Sequence, residues 1–102
     1  MTFPARLAAA LLLVAAASAT AAELATERYA PAQLAVASDF LELAREAAAR
    51  GDSALAGKLA WQASLDARLA WGMTESEELR ADAAEVGGAA NELIEQLAKR
   101  RR

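Results

Sequence analysis

From Leu34 onward, apolar residues recur at the three-and-four spacing of one helix face: Leu34, Ala37, Leu41, Ala44 and Ala48, widened by Val36, Phe40, Leu43 and Ala47. Pro31 suits the first position of a helix, where an amide hydrogen would have no partner, and no glycine or proline interrupts the chain before Gly51. The pattern predicts a first helix over about residues 31–50. Glu46 and Arg50 stand one turn apart, on its solvated side.

Gly51 fits the left-handed position after a helix, and Asp52 or Ser53 can accept hydrogen bonds from the first amides of the next. So short a turn implies an antiparallel hairpin. The Arg50-Gly51-Asp52 tripeptide also spells an integrin-binding motif, but turn and cap chemistry accounts for all three residues. The second helix presents Leu55, Leu59, Trp61, Leu65 and Leu69 beside a row of small residues, Ala56, Ala60, Ala63, Ala67 and Ala70. Small side chains let two helix backbones approach closely. Asp66 and Arg68 are expected at the edge of that interface, with Trp61 and Trp71 packing on helix one.

Beyond Trp71 two signals conflict. Thr74-Glu75-Ser76-Glu77 reads as a capping box, which would start a new helix at Glu75. The apolar register through Leu65, Leu69, Gly72, Ser76, Leu79, Ala83, Val86, Ala90, Leu93 and Leu97 alternates steps of four and three without slipping. The register carries more weight, because glycine inside a helix costs only about 1 kcal/mol. The predicted fold is therefore all-α: an antiparallel hairpin with a long second helix over about 53–98, continuous, kinked or broken near Gly72, with Gly87-Gly88 as a second weak point.

Ahead of the hairpin, Arg6 and the amino terminus precede an uncharged apolar stretch from Leu7, and small residues follow at Ala17, Ala19, Ala21 and Ala22. This is the layout of a secretory signal peptide, read as residues 1–22, with cleavage after Ala19, Ala21 or Ala22. The stretch is shorter than the roughly 20 apolar residues a spanning helix needs, and no cysteine follows it for lipid attachment. The expected product has no stable membrane anchor and is soluble in the periplasm, with secretion as the alternative. Residues 23–30 read as a linker, 31–98 as the hairpin domain and 99–102 as a basic tail.

Composition narrows the chemistry. The 102 residues include 31 alanines and neither histidine nor cysteine. The chain thus lacks the commonest general base at neutral pH, the commonest nitrogen metal ligand and a thiolate nucleophile. No catalytic residue, cofactor site or metal site is assigned. Glu78, Asp82 and Glu85 share one helix face, but a calcium site needs six to eight converging oxygens and no second ligand segment is visible. Residues 23–98 carry six basic and 14 acidic groups, a net charge of −8 that disfavours nucleic acid. Lys99, Arg100, Arg101 and Arg102 complement the carbonyl end of a helix, or contact an anionic surface.

Tyr29-Ala30-Pro31-Ala32-Gln33-Leu34, then Ala44-Arg45-Glu46-Ala47, Gly51-Asp52 and the Leu59-to-Ala70 stretch resemble the bacterial envelope family called domain of unknown function 4398, over about residues 27–75. The resemblance implies an alanine-rich periplasmic helical hairpin and supplies no catalytic residue; the lipobox cysteine and second domain found in many members are absent here. The reading is a non-enzymatic exported cell-envelope protein, a helical structural or interaction module. An outer apolar face of Leu79, Val86, Leu93 and Leu97 would pack on a second copy or another helical envelope protein. The alternative is a weak, chaperone-like binder holding an apolar or aromatic ligand or an unfolded chain at Trp61, Trp71 and Met73.

Overall fold

The computed structural model describes residues 28–100, which form three helices and, among the described residues, no strand. Helix α1 covers residues 28–49, α2 Ser53–Gly72 and α3 Glu77–Arg100. The expected linker is thus helical from residue 28, Pro31 sits inside α1 rather than at its start, and Ala30 is fully buried. The signal-peptide reading lies outside the described residues.

The first reversal forms as the sequence implies. Gly51 adopts φ +81°, the amide of Asp52 donates to the Ala47 carbonyl and that of Gly51 to the Ala48 carbonyl, both at 3.0 Å. These two bonds satisfy the last carbonyls of α1, and the left-handed residue between them favours glycine. The Asp52 carboxylate accepts from the Leu55 amide at 3.1 Å and so caps α2.

The second reversal corrects the continuous-helix expectation. Helix α2 stops at Gly72, and the chain folds back through residues 73–76 into α3, which packs along α2. The amide of Met73 donates to the carbonyls of Leu69 and Ala70. The Thr74 hydroxyl accepts from the Ser76 amide at 3.0 Å, holding the turn, while the Ser76 hydroxyl accepts from the Leu79 amide at 3.3 Å and caps α3. The cap therefore falls on Ser76, and the helix begins at Glu77 rather than Glu75. The apolar repeat that runs through this point in the sequence does not stay on one face: Leu65 and Leu69 stand exposed on the outside of α2, whereas Leu79, Ala83 and Val86 of the same repeat turn inward on α3, and the buried rows that end at Ala70 and resume at Ala83 are 13 positions apart.

The interior is built largely of alanine. Ala30, Ala37 and Ala44 on α1, Ala56, Ala63 and Ala70 on α2, and Ala83, Ala90 and Leu97 on α3 are buried at seven-residue intervals. That repeat belongs to helices packed nearly antiparallel or parallel with small crossing angles. Leu41, Ala63 and Ala90 form one cluster spanning all three helices, with Phe40, Val86 and Ala89 packed on it. Ala47, Ala56 and Leu97 form a second near the Gly51 turn, supported by Ala48, Leu59 and Leu93. Three helices can meet on alanine only if their backbones come close. An ideal Cβ on Gly87 would stand 3.5 Å from the Ala67 Cβ, which records that approach between α2 and α3.

Buried polar groups lock the arrangement. Asp66, expected at an interface edge, is 5% exposed and accepts from the Gln33 amide of α1 at 3.0 Å and the Gln62 amide of α2 at 3.2 Å. Ser64 donates to Asn91 Oδ1 at 2.9 Å, joining α2 to α3. Each bond is worth about 1 kcal/mol net, but an unmet partner in the interior would cost more, so these pairs fix the relative axial positions of the helices.

Candidate interaction surface

With alanine inside, large apolar side chains are displaced outward. Tyr29, Val36 and Leu43 each immediately precede a buried alanine of α1, and they are 62%, 42% and 46% exposed. One residue of helix is about 100° of rotation, so this stripe lies on the flank of α1 beside its buried alanines. Leu55 and Leu69 on α2 likewise precede the buried Ala56 and Ala70.

The outer side of α2 is the most apolar of these surfaces. Trp61, Leu65 and Leu69 follow one another at intervals of four and are 56%, 37% and 55% exposed. Leu65 lies about 180° around the helix from the centre of its buried alanines, so the stripe faces directly away from the bundle. Lys58 and Arg68 border it, both exposed. Asp66, the sole carboxylate of α2, is turned inward and hydrogen-bonded there. The face is therefore apolar and cationic on a chain that is acidic elsewhere.

Between α2 and α3 runs an open groove of about 280 Å³, floored by Ala67, Ala83 and Gly87 and walled by Trp71 and Asn91. The Arg80 guanidinium lies over the Trp71 ring, 4.3 Å from its centroid. The outward side of α3 carries the exposed carboxylates of Glu77, Glu78, Asp82, Glu85, Glu92 and Glu95. No three acidic side chains converge in a group able to hold a metal ion among the described residues. Nor is any described helix long and apolar enough to cross a membrane.

Several residues singled out in the sequence occupy other places than expected. Leu97 is 4% exposed in the second core cluster, Val86 and Leu93 pack on the two clusters, and Leu79 is half-buried. These four are the inner face of α3; folding back on α2 consumes the surface they would have offered as part of a projecting helix. Trp61 and Trp71 do not pack on α1 but stand exposed. They are separated by ten residues, about 15 Å along the axis, and Met73 is half-buried in the turn, so the three do not form one pocket. Lys99 and Arg100 are exposed at the end of α3, whereas Arg101 and Arg102 lie outside the described residues. The Trp61–Leu65–Leu69 stripe is visible in the sequence as part of an apolar row, and the fold places it on the outside. Compared with known proteins, the chain matches no family model, no curated protein and no solved structure.

Proposed function

We propose that the protein is a non-enzymatic, exported component of the cell envelope that serves as a helical interaction module, with the outer face of α2 as its contact surface. The observation that carries this reading is the inverted placement of side chains: alanine fills the interior while Trp61, Leu65 and Leu69 stand in water on one face. A continuous exposed apolar patch on a small protein marks an interaction site, since each large side chain left in water forgoes about 1.5–3 kcal/mol of burial. The amino-terminal sequence supports export, and the alanine-rich hairpin with its Gly51-Asp52 turn supports the family resemblance. A photo-reactive amino acid in place of Leu65 should yield a discrete protein adduct in cells, and one in place of Glu92 should not. Absence of an adduct at both positions overturns the reading.

The groove beside Trp71 favours a second reading, a weak binder of an apolar or aromatic ligand. Trp71 is 48% exposed there and would report a bound ligand directly. Tryptophan emission that does not move on adding lipids, sugars or unfolded peptides would eliminate it.

A further inference from the structure

We infer that the occupant of the α2 face is a second copy of this chain, the two α2 helices crossing antiparallel about a two-fold axis at Leu65. The inference rests on the interaction-module reading and specifies its partner. Trp61 and Leu69 lie equally far from Leu65, one helical turn on either side, and are almost equally exposed at 56% and 55%. A two-fold axis at Leu65 therefore sets Leu65 on its own copy and each Trp61 on Leu69 of the second copy. Residues spaced by four form a ridge, and two such ridges interdigitate at a crossing angle of about −50°, the commonest class of helix contact.

Charge selects the antiparallel direction. Lys58 lies at the amino-terminal end of the stripe, and the exposed carboxylates of Glu77 and Glu78 follow its carboxy-terminal end. Antiparallel crossing brings Lys58 of each copy toward the acidic turn of the other and places Arg68 opposite Gln62. Parallel crossing would stack Lys58 on Lys58 and Arg68 on Arg68. Because Asp66 is held inward, no carboxylate of α2 must be stripped of water when the face closes. Such an isologous contact closes on itself and leaves the stripe covered on both copies. An anionic lipid surface fits less well, since residues 23–102 carry a net charge of −4 even with the basic tail counted, and the carboxylates on the outward side of α3 would be repelled.

The chain contains no cysteine, so single cysteine variants report one position each. In the purified protein at micromolar concentration, light scattering should give twice the monomer mass. Leu65→Cys should cross-link to itself, a mixture of Trp61→Cys and Leu69→Cys should form the mixed dimer in preference to either homodimer, and Glu92→Cys should not cross-link. Leu65→Lys should weaken the dimer by at least about tenfold without loss of helix signal, because the side chain is outside the monomer core. A monomer overturns the inference. So does a dimer that cross-links through Glu92→Cys but not Leu65→Cys, and so does a monomer that binds phosphatidylglycerol vesicles through Trp61. In these cases the interaction-module reading still stands if the photo-adduct at position 65 is found, and fails with it if none is.

Discussion

The Arg80 guanidinium lies 4.3 Å from the centre of the Trp71 ring, and its Nε donates to the Thr74 carbonyl at 2.8 Å. One side chain thus ties the last turn of α2, the reversal and the first turn of α3 together. Arg80→Ala should lower stability by about 1–2 kcal/mol, the sum of a partly exposed cation–π contact and a charge-assisted hydrogen bond. Arg80→Lys should recover only part of this, because an ammonium cannot lie flat on the indole while donating sideways to the carbonyl. Thermal melts followed by helix signal and by tryptophan emission test both variants.

Two glycines should respond in opposite directions. Gly51 holds φ +81°, so Gly51→Ala should destabilise by about 1–2 kcal/mol. Gly88 lies within α3 with no atom within 4 Å of an added Cβ, so Gly88→Ala should stabilise by about 0.5–1 kcal/mol. Denaturant midpoints at constant slope are the appropriate measurement, and matching signs would contradict the assigned turn.

Core and surface substitutions should separate by burial, not by side-chain size. Ala63 is fully buried against Leu41 and Ala90, so Ala63→Leu should cost about 1–3 kcal/mol by forcing the helices apart. Leu41→Ala should cost about 2–5 kcal/mol through the cavity it leaves. Leu69→Ala, at 55% exposure, should change monomer stability by no more than about 0.5 kcal/mol. Circular dichroism melts at concentrations low enough to prevent association separate the three.

Removing Lys99 to Arg102 should leave the melting behaviour within about 0.5 kcal/mol, since Lys99 and Arg100 are exposed at the end of α3. If these cations contact an anionic surface, the truncation lowers vesicle binding by about 1 kcal/mol for each group lost. Unchanged vesicle binding would mean that they act only on the helix macrodipole.

The helical class, the Gly51-Asp52 reversal and the alanine rows were all legible in the sequence. The outward placement of the large residues flanking those rows was not, and the reason is geometric. Tyr29, Val36 and Leu43 repeat every seven residues, and so do Ala30, Ala37 and Ala44 one position later. Both rows satisfy the same periodicity, about 100° apart, so a pattern that centres the face on Ala37, Leu41 and Ala44 and widens it by Val36 and Leu43 does not say which flank stays in water. Packing chose the smaller row, since three helices closing on one another leave no room for leucine at most central positions. The reversal at residues 73–76 was hidden because the exposed row of α2, Leu65 and Leu69, stands in sequence phase with the inward row of α3, Leu79, Ala83 and Val86, and the Trp71–Arg80 contact lies outside the three- and four-residue spacings that a helix pattern reveals. The inward turn of Asp66 depends on Gln33, 33 positions earlier, a pairing that appears only once α1 lies along α2.

The alanine interior has a consequence for how this protein can vary. Alanine has no rotamers to freeze, so assembling such a core costs almost no side-chain entropy. The geometry of the bundle is then encoded in residues that tolerate almost no enlargement, while the outward residues contribute little to it. Mutations that redesign the exposed stripe of α2 would leave the scaffold intact, so the choice of partner can drift independently of the fold that presents it.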